Sequence, residues 1–148
     1  MNDPLLVVRD FQPEDGDAVV ALWDECGLIR PWNNPHRDIL RKLADSNGAF
    51  WVATSADDVA DDVIASVMIG YDGHRGSINY LAVAAAWQRT GIGVRLMRQA
   101  EAFLLDRGCP KVNLCVRKDN EAVCAFYDHL GYAIDDVHLF GKRLIPDD

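Results

Sequence analysis

The sequence contains no apolar run near the roughly 20 residues that a membrane-spanning helix needs. Its longest candidates, residues 63–71 and 81–87, are strand-sized. The start, Met1-Asn2-Asp3-Pro4, has neither a positive n-region nor a cleavable apolar stretch, so no signal peptide is expected. Cysteine is sparse, and Cys26, Cys109, Cys115 and Cys124 form no Cys-x-x-Cys pair. That spacing argues against a disulfide framework and a thiolate zinc site, and the expected setting is a reducing cytoplasm. His36, His74, His129 and His138 are scattered, so no metal site is expected. Basic residues are in the minority, 15 against 23 acidic, for a net charge of −8. Such a balance argues against a general nucleic-acid binder or a protein held on anionic membranes.

What is present suits a globular protein. The 148 residues, 49% hydrophobic and 26% charged, suffice for a packed core in one domain spanning residues 1–148. Residues 5–11 read as a strand. Val19, Leu22, Trp23 and Cys26 then follow helical spacing. Asn34-Pro35 caps a second helix through Ile39, Leu40 and Leu43. A strand at 50–54 precedes an acidic loop carrying Asp57, Asp58, Asp61 and Asp62. Residues 63–71 and 77–84 form a hairpin around Asp72-Gly73-His74-Arg75-Gly76. Ile92, Leu96, Ala100, Phe103 and Leu104 mark a long helix ended by Gly108. A strand at 111–116 leads to a helix capped by Asp119 or Asn120, with Val123, Phe126, Tyr127 and Leu130 on one face. Strands at 132–134 and 137–144 would close the chain. The order βααβββαβαββ predicts a mixed α/β domain whose sheet is only partly parallel.

The stretch with most chemical content runs from Leu81 to Val94. An apolar strand enters a turn with Gly91 and Gly93, and the turn opens a helix. Helix N-termini offer unpaired N–H groups, and glycine lets an anion approach the backbone, so the turn suits a phosphate. A dinucleotide fingerprint would need a third glycine where Leu96 stands, and a P-loop would need Gly-Lys-Ser/Thr, which is absent. By spacing alone, a plain structural strand–helix turn accounts for the glycines equally well.

Gln88-x-x-Gly91-x-Gly93 after Leu81-Ala82-Val83 resembles the signature of the GNAT (GCN5-related N-acetyltransferase) family. Asn120, Tyr127 and Leu130-Gly131-Tyr132 resemble that family's C-terminal half, and the element order fits along the whole chain. Four further stretches, beginning at Arg30, Gly70, Arg107 and Gly141, look most like small bacterial YpeA-type acetyltransferases. The resemblance implies a GNAT fold with two splayed parallel strands, acetyl-CoA as donor and a primary amine as acceptor. It implies that Leu81, Ala82 and Val83 pair with the pantetheine amides, and that Arg89, Thr90, Gly91, Ile92, Gly93 and Val94 hold the pyrophosphate with backbone N–H groups. Gln88 would shape the turn. Asn120 would face the cofactor as well as cap its helix. Tyr127 would be the catalytic acid, although its spacing also suits a core aromatic. A homodimer is implied too.

The base is less legible. Cys115 stands where relatives carry a glutamate, and it reads as a buried small hydrophobe. Asp72, His74 and Tyr80 are the other candidates, and a water chain needs none of them. Arg30, Trp32 and Asn33 fall where the family shapes acceptor choice; Trp32 also suits a packing anchor. The missing glutamate motivates a second reading, a non-catalytic acyl-CoA-binding sensor or scaffold. An unrelated nucleotide-binding protein rests on the glycine turn alone. Residues 87–118 carry seven basic and two acidic side chains, a net of +5, which leaves −13 elsewhere. The basic block suits an anionic CoA, and the acidic remainder suits a cationic acceptor.

Overall fold

The computed structural model describes residues 5–57 and 62–147. Asp58 and Asp61 of the acidic loop, and the four N-terminal residues, lie outside the described residues. One five-stranded sheet runs through the molecule in the order β1 (Leu6–Asp10), β2 (Ala49–Ser55), β3 (Ala65–Tyr71), β4 (Gly76–Val83) and β5 (Val112–Leu114). The first three pairings are antiparallel. β4 pairs with β5 in parallel, across the helix α3 (Ile92–Asp106). The other helices are α1 (Gly16–Glu25), α2 (Pro35–Leu43) and α4 (Glu121–His129).

Alternation along the strands divides the core between two faces. Ala53, Ala65, Val67, Ile69 and Ile78 pack with Ile92, Leu96, Met97 and Leu104 of α3 and with Tyr127 and Leu130. Phe50, Val52, Met68 and Ala82 pack with Val19, Leu22 and Trp23 of α1 and Ile39 of α2. Local signals set the helix ends: the Asn34 side chain accepts from the backbone N–H of His36 and Arg37, and Asn120 accepts from Val123. In the β3–β4 turn, Asp72 Oδ1 accepts from the N–H groups of His74 and Arg75.

β4 breaks its own alternation. Ser66 pairs with Ala82 and Met68 with Asn79, so three steps on β4 oppose two on β3. This bulge contains Tyr80, whose φ of 52° lies in the left-handed region that a side chain disfavours. Its effect is a change of face. Ile78 packs toward α3, Tyr80 and Ala82 pack toward α1, and Leu81 and Val83 return to the α3 side.

Two expectations fail at the C-terminus. The strands at 132–134 and 137–144 do not form. Apolar residues suggested strands there, but a strand exists only with a ladder partner, and among the described residues no strand pairs with this segment. Side chains hold it instead. Lys111 and Asn113 bind Asp135 at 2.9 and 3.0 Å, Arg143 binds Asn33, and Arg41 forms a two-pronged pair with Asp147 at 2.9 Å on both contacts. β5 is also shorter than the expected 111–116, ending at Leu114.

Candidate active site

β4 and β5 are joined only over Gly76–Ile78 and Val112–Leu114. Past that point β4 continues to Val83 while the other chain turns away, and the two strands part around a gap. Tyr80 and Leu81 border it on one side; Leu114, Cys115, Val116 and Arg117 border it on the other. Asn120, Val123 and Tyr127 of the α4 region close its floor. Its mouth reaches Arg30 and Asn33 between α1 and α2, and Asp38, Arg41 and Asp45 along α2. The cavity holds about 730 Å³.

The wall formed by β4 is clamped from behind. The Trp23 indole N–H donates to Ser66 Oγ at 2.9 Å, and that hydroxyl donates to the Tyr80 carbonyl at 2.9 Å. Trp23 and Ser66 are fully buried, so these partners replace water that cannot reach them. The Tyr80 hydroxyl donates to Asp38 Oδ2 at 2.6 Å. Burial first, and then the neighbouring Asp38 carboxylate, push the Tyr80 phenol far above its ordinary pKa. The shift favours the protonated phenol at neutral pH.

The glycine turn lies at the end of the same strand. Arg89 has φ 64° and Gly91 φ 89°, and Gly91 is the N-cap of α3. Left-handed residues on either side of Thr90, just before a helix, turn backbone N–H groups toward one concave face. The Gln88 side chain donates to the Val83 carbonyl at 3.0 Å, tying the turn back to β4. Gly93 has a packing reason: a Cβ there would meet the Phe126 ring at 3.2 Å, so its absence lets α3 lie close to α4. Ile92 is buried, and Arg89, Thr90 and Gly91 are exposed.

Tyr127 belongs to both the core and the gap. Its ring packs edge-on against Phe126 and Tyr132, at centroid distances of 5.0 and 5.6 Å. Its hydroxyl finds no hydrogen-bond partner among the described residues and borders the cavity. Burial pushes its pKa up to about 12, so it stays protonated at neutral pH. Asn120 both caps α4 and borders the gap.

The other candidates separate clearly. Asp72 and His74 sit in the exposed turn before Gly76, at the opposite end of β4 from Val83. The expectation of a buried Cys115 is overturned: its thiol is exposed and borders the gap, because β5 has already ended and left that backbone outside the sheet. Trp32 is about half exposed and stands under the Arg117 guanidinium, 5.4 Å from its ring centroid. Sequence reasoning missed Asp38 and Ser66. Asp38 carries no signal in the sequence beyond being one acidic residue within a helix. Ser66 carried the one usable signal, a polar residue inside the apolar run 63–71.

Comparison with known proteins agrees with this arrangement. Residues 14–132 match the model of the Acetyltransferase (GNAT) family. An acetyltransferase of Sodalis glossinidius is 47% identical over 141 residues, covering 95% of this chain and 96% of that protein. A possible acetyltransferase from Clostridium difficile superposes with a TM-score of 0.76 at 21% identity, covering 95% of this chain and 99% of the other. An aminoglycoside N-acetyltransferase in complex with CoA superposes with a TM-score of 0.74 at 13% identity, covering 95% of each chain. The last two similarities speak to the fold, and the first two to the family. On these grounds the chain belongs to the GNAT family and is an acetyl-CoA-dependent N-acetyltransferase.

Proposed function

We propose that acetyl-CoA lies along the open edge of β4 and that a cationic primary amine enters beside Asp38 and Asp45. The observation that carries this reading is the parting of β4 and β5 around a cavity bordered by the Tyr127 hydroxyl. Backbone groups of Leu81, Ala82 and Val83 then serve the pantetheine amides as a neighbouring strand would. The Val83 carbonyl is already engaged by Gln88 and by the Cys26 thiol, and Ala82 is paired with Ser66 of β3, which leaves chiefly Leu81 and the Val83 N–H for this role. N–H groups from Arg89 to Val94 at the head of α3 favour the pyrophosphate, helped by the helix dipole.

In the reaction, the neutral amine nitrogen attacks the thioester carbonyl carbon. The carbonyl oxygen gains negative charge, and in this reading a backbone N–H of the bulged segment 80–83 receives it. As the C–S bond breaks, the thiolate takes a hydrogen bond or proton from Tyr127. Asp38 lies near the cavity mouth with its carboxylate fixed by Tyr80 and by Arg41 at 3.4 Å. Its role is to hold the incoming ammonium, which gives one proton to solvent water before attack; the second proton, lost from nitrogen as the amide forms, replaces the one Tyr127 passes to the thiolate. Four free thiols favour a reducing compartment, and we place the reaction in the cytoplasm.

The test follows thiol release from acetyl-CoA over a panel of polyamines, small amines and peptides. Tyr127→Phe is expected to lower kcat about 100-fold with CoA affinity unchanged; unchanged turnover would refute the assignment. Asp38→Asn is expected to raise acceptor KM while leaving donor KM alone. In the unsubstituted enzyme, acceptor KM is expected to rise with ionic strength.

A further inference from the structure

The cavity between β4 and β5 does not share the acidity of the chain. Four cations border it, Arg30, Arg41, Lys42 and Arg117, against the two carboxylates Asp38 and Asp45. Positive charge stays in excess even when Asp147, which pairs with Arg41, is counted. Arg41 is engaged by Asp38 and Asp147, and Lys42 by Asp45.

Two guanidinium groups are left over. The Arg30 side chain is half-buried, and it makes no hydrogen bond or ion pair among the described residues. The Arg117 side chain has no carboxylate partner among them either, only the face of Trp32. A cation that loses part of its water without gaining an opposite charge is uncompensated. A cleft lined by such charges draws in an anion.

Contacts bring both groups to one end of the cavity. Arg30 starts the turn between α1 and α2, which is closed by the Asn33 N–H donating to the Arg30 carbonyl at 3.0 Å. Arg143 holds the Asn33 side chain at 2.6 Å. Trp32 lies in the same turn, and Arg117, beyond β5, stands 5.4 Å from its ring centroid. Both guanidinium groups are thereby tied to one turn across the mouth. Asp38 borders the same mouth from the first turn of α2. The N–H groups assigned to the donor's pyrophosphate, from Arg89 to Val94, belong to residues that do not border this cavity.

With the amine placed beside Asp38 as above, on which this inference rests, we propose that the acceptor is an amino carboxylate. Asp38 holds its ammonium, and Arg30 and Arg117 take its carboxylate. The planar guanidinium fork matches a carboxylate with two parallel N–H···O bonds. A polyamine would leave both arginines unmatched and add charge of their own sign. The carboxylate takes no part in acetyl transfer; it decides which amine reaches the thioester.

Thiol release from acetyl-CoA is measured on α-amino acids and on ω-amino carboxylates of increasing length, each paired with its own carboxamide. The carboxamide's amine is no more basic than the carboxylate's, so its neutral fraction cannot produce a preference for the carboxylate. At least one carboxylate is expected to exceed its carboxamide in kcat/KM by about 10-fold or more. Arg30→Gln and Arg117→Gln are each expected to bring that ratio toward one by raising the carboxylate's KM, with donor KM unchanged. Neither side chain has an ion-pair partner to lose, so the urea midpoint should not move. A ratio of one or below for every pair overturns the proposal, as does a lack of turnover with every carboxylate. So does a ratio that survives both substitutions together, or substitutions that raise donor KM instead. Failure of the amine placement reads differently: Asp38→Asn then leaves KM unchanged for carboxylate and carboxamide alike, while the ratio still decides the carboxylate contact.

Discussion

The Trp23 indole lies nearly parallel to the Tyr80 phenol, their ring centroids 3.7 Å apart and their planes 13° apart. This stack joins the buried floor of the α1 side to the one residue of β4 that sits in the left-handed region. A non-glycine residue there costs on the order of 1 kcal/mol or more. The stack, the Ser66 link and the Asp38 contact together hold the conformation. The strain is located where β4 changes face and where the donor's carbonyl is expected to sit.

Ser66→Ala tests that clamp. The substitution leaves the buried Trp23 N–H without its acceptor and the Tyr80 carbonyl without its donor. A stability loss of about 1–3 kcal/mol is expected, read from urea unfolding. A fall in kcat larger than the change in acceptor KM is expected alongside it, because the bulge shapes the carbonyl site.

Gly91→Ala tests the turn. The φ of 89° forces a side chain into the left-handed region at the head of α3. The cost is about 1–2 kcal/mol, measured by thermal or urea unfolding. CoA affinity is expected to fall as the N–H groups shift, whereas Gly108→Ala, also at positive φ but at the far end of α3, should affect stability alone.

The Tyr127 proton gives an alkaline signature. Burial raises the folded pKa to about 12 from the ordinary 10, so the folded chain keeps a proton that the unfolded chain has lost. Its contribution to stability is complete below pH 10 and declines as pH rises from about 10 to about 12. The two-unit shift corresponds to about 3 kcal/mol at most. Unfolding of Tyr127→Phe between these pH values should be correspondingly less steep than that of the parent protein. Across the neutral range the parent's rate should show no limb from Tyr127 ionisation.

The Asp147 anchor gives an acid signature. The Arg41 guanidinium, and then the Asn34 N–H and Arg37, hold its carboxyl well below the usual carboxylate range. Its contribution is therefore complete above the unfolded value near 4 and lost as pH falls through the folded one. The contacts of Asp147 with Arg41 and the Asn34 N–H should be lost at low pH, read as a change in the chemical shifts of residues 141–147 that follows the Asp147 carboxyl titration. Asp147→Asn should show that change already at neutral pH.

The residues carrying the chemistry differ in how far their own sequence announced them. Asn34-Pro35, Asp72 and Asn120 act on neighbours two or three positions away, so their caps and turn were legible without a structure. The glycine turn was legible for the same reason, since Gly91 serves a backbone angle and Gly93 a close approach. Tyr127 showed its helical spacing, and its place beside the gap came from the resemblance of Asn120 and Tyr127 to a family pattern. Asp38 and Ser66 were silent because their partners lie far along the chain, at Tyr80 and Trp23.

The sequence by itself determined the number and order of the elements up to α4, the two faces of most strands, the turn and the absence of paired cysteines. All of these depend on short-range periodicity and backbone preference. Only the tertiary structure decided where β4 changes face, which carboxylate stands at the mouth of the gap, and that Cys115 is exposed. It also decided the state of residues 132–134 and 137–144, whose apolar residues suggested strands. Periodicity records which side of a strand would be apolar, but a ladder needs a neighbour, and no residue within the segment can supply one.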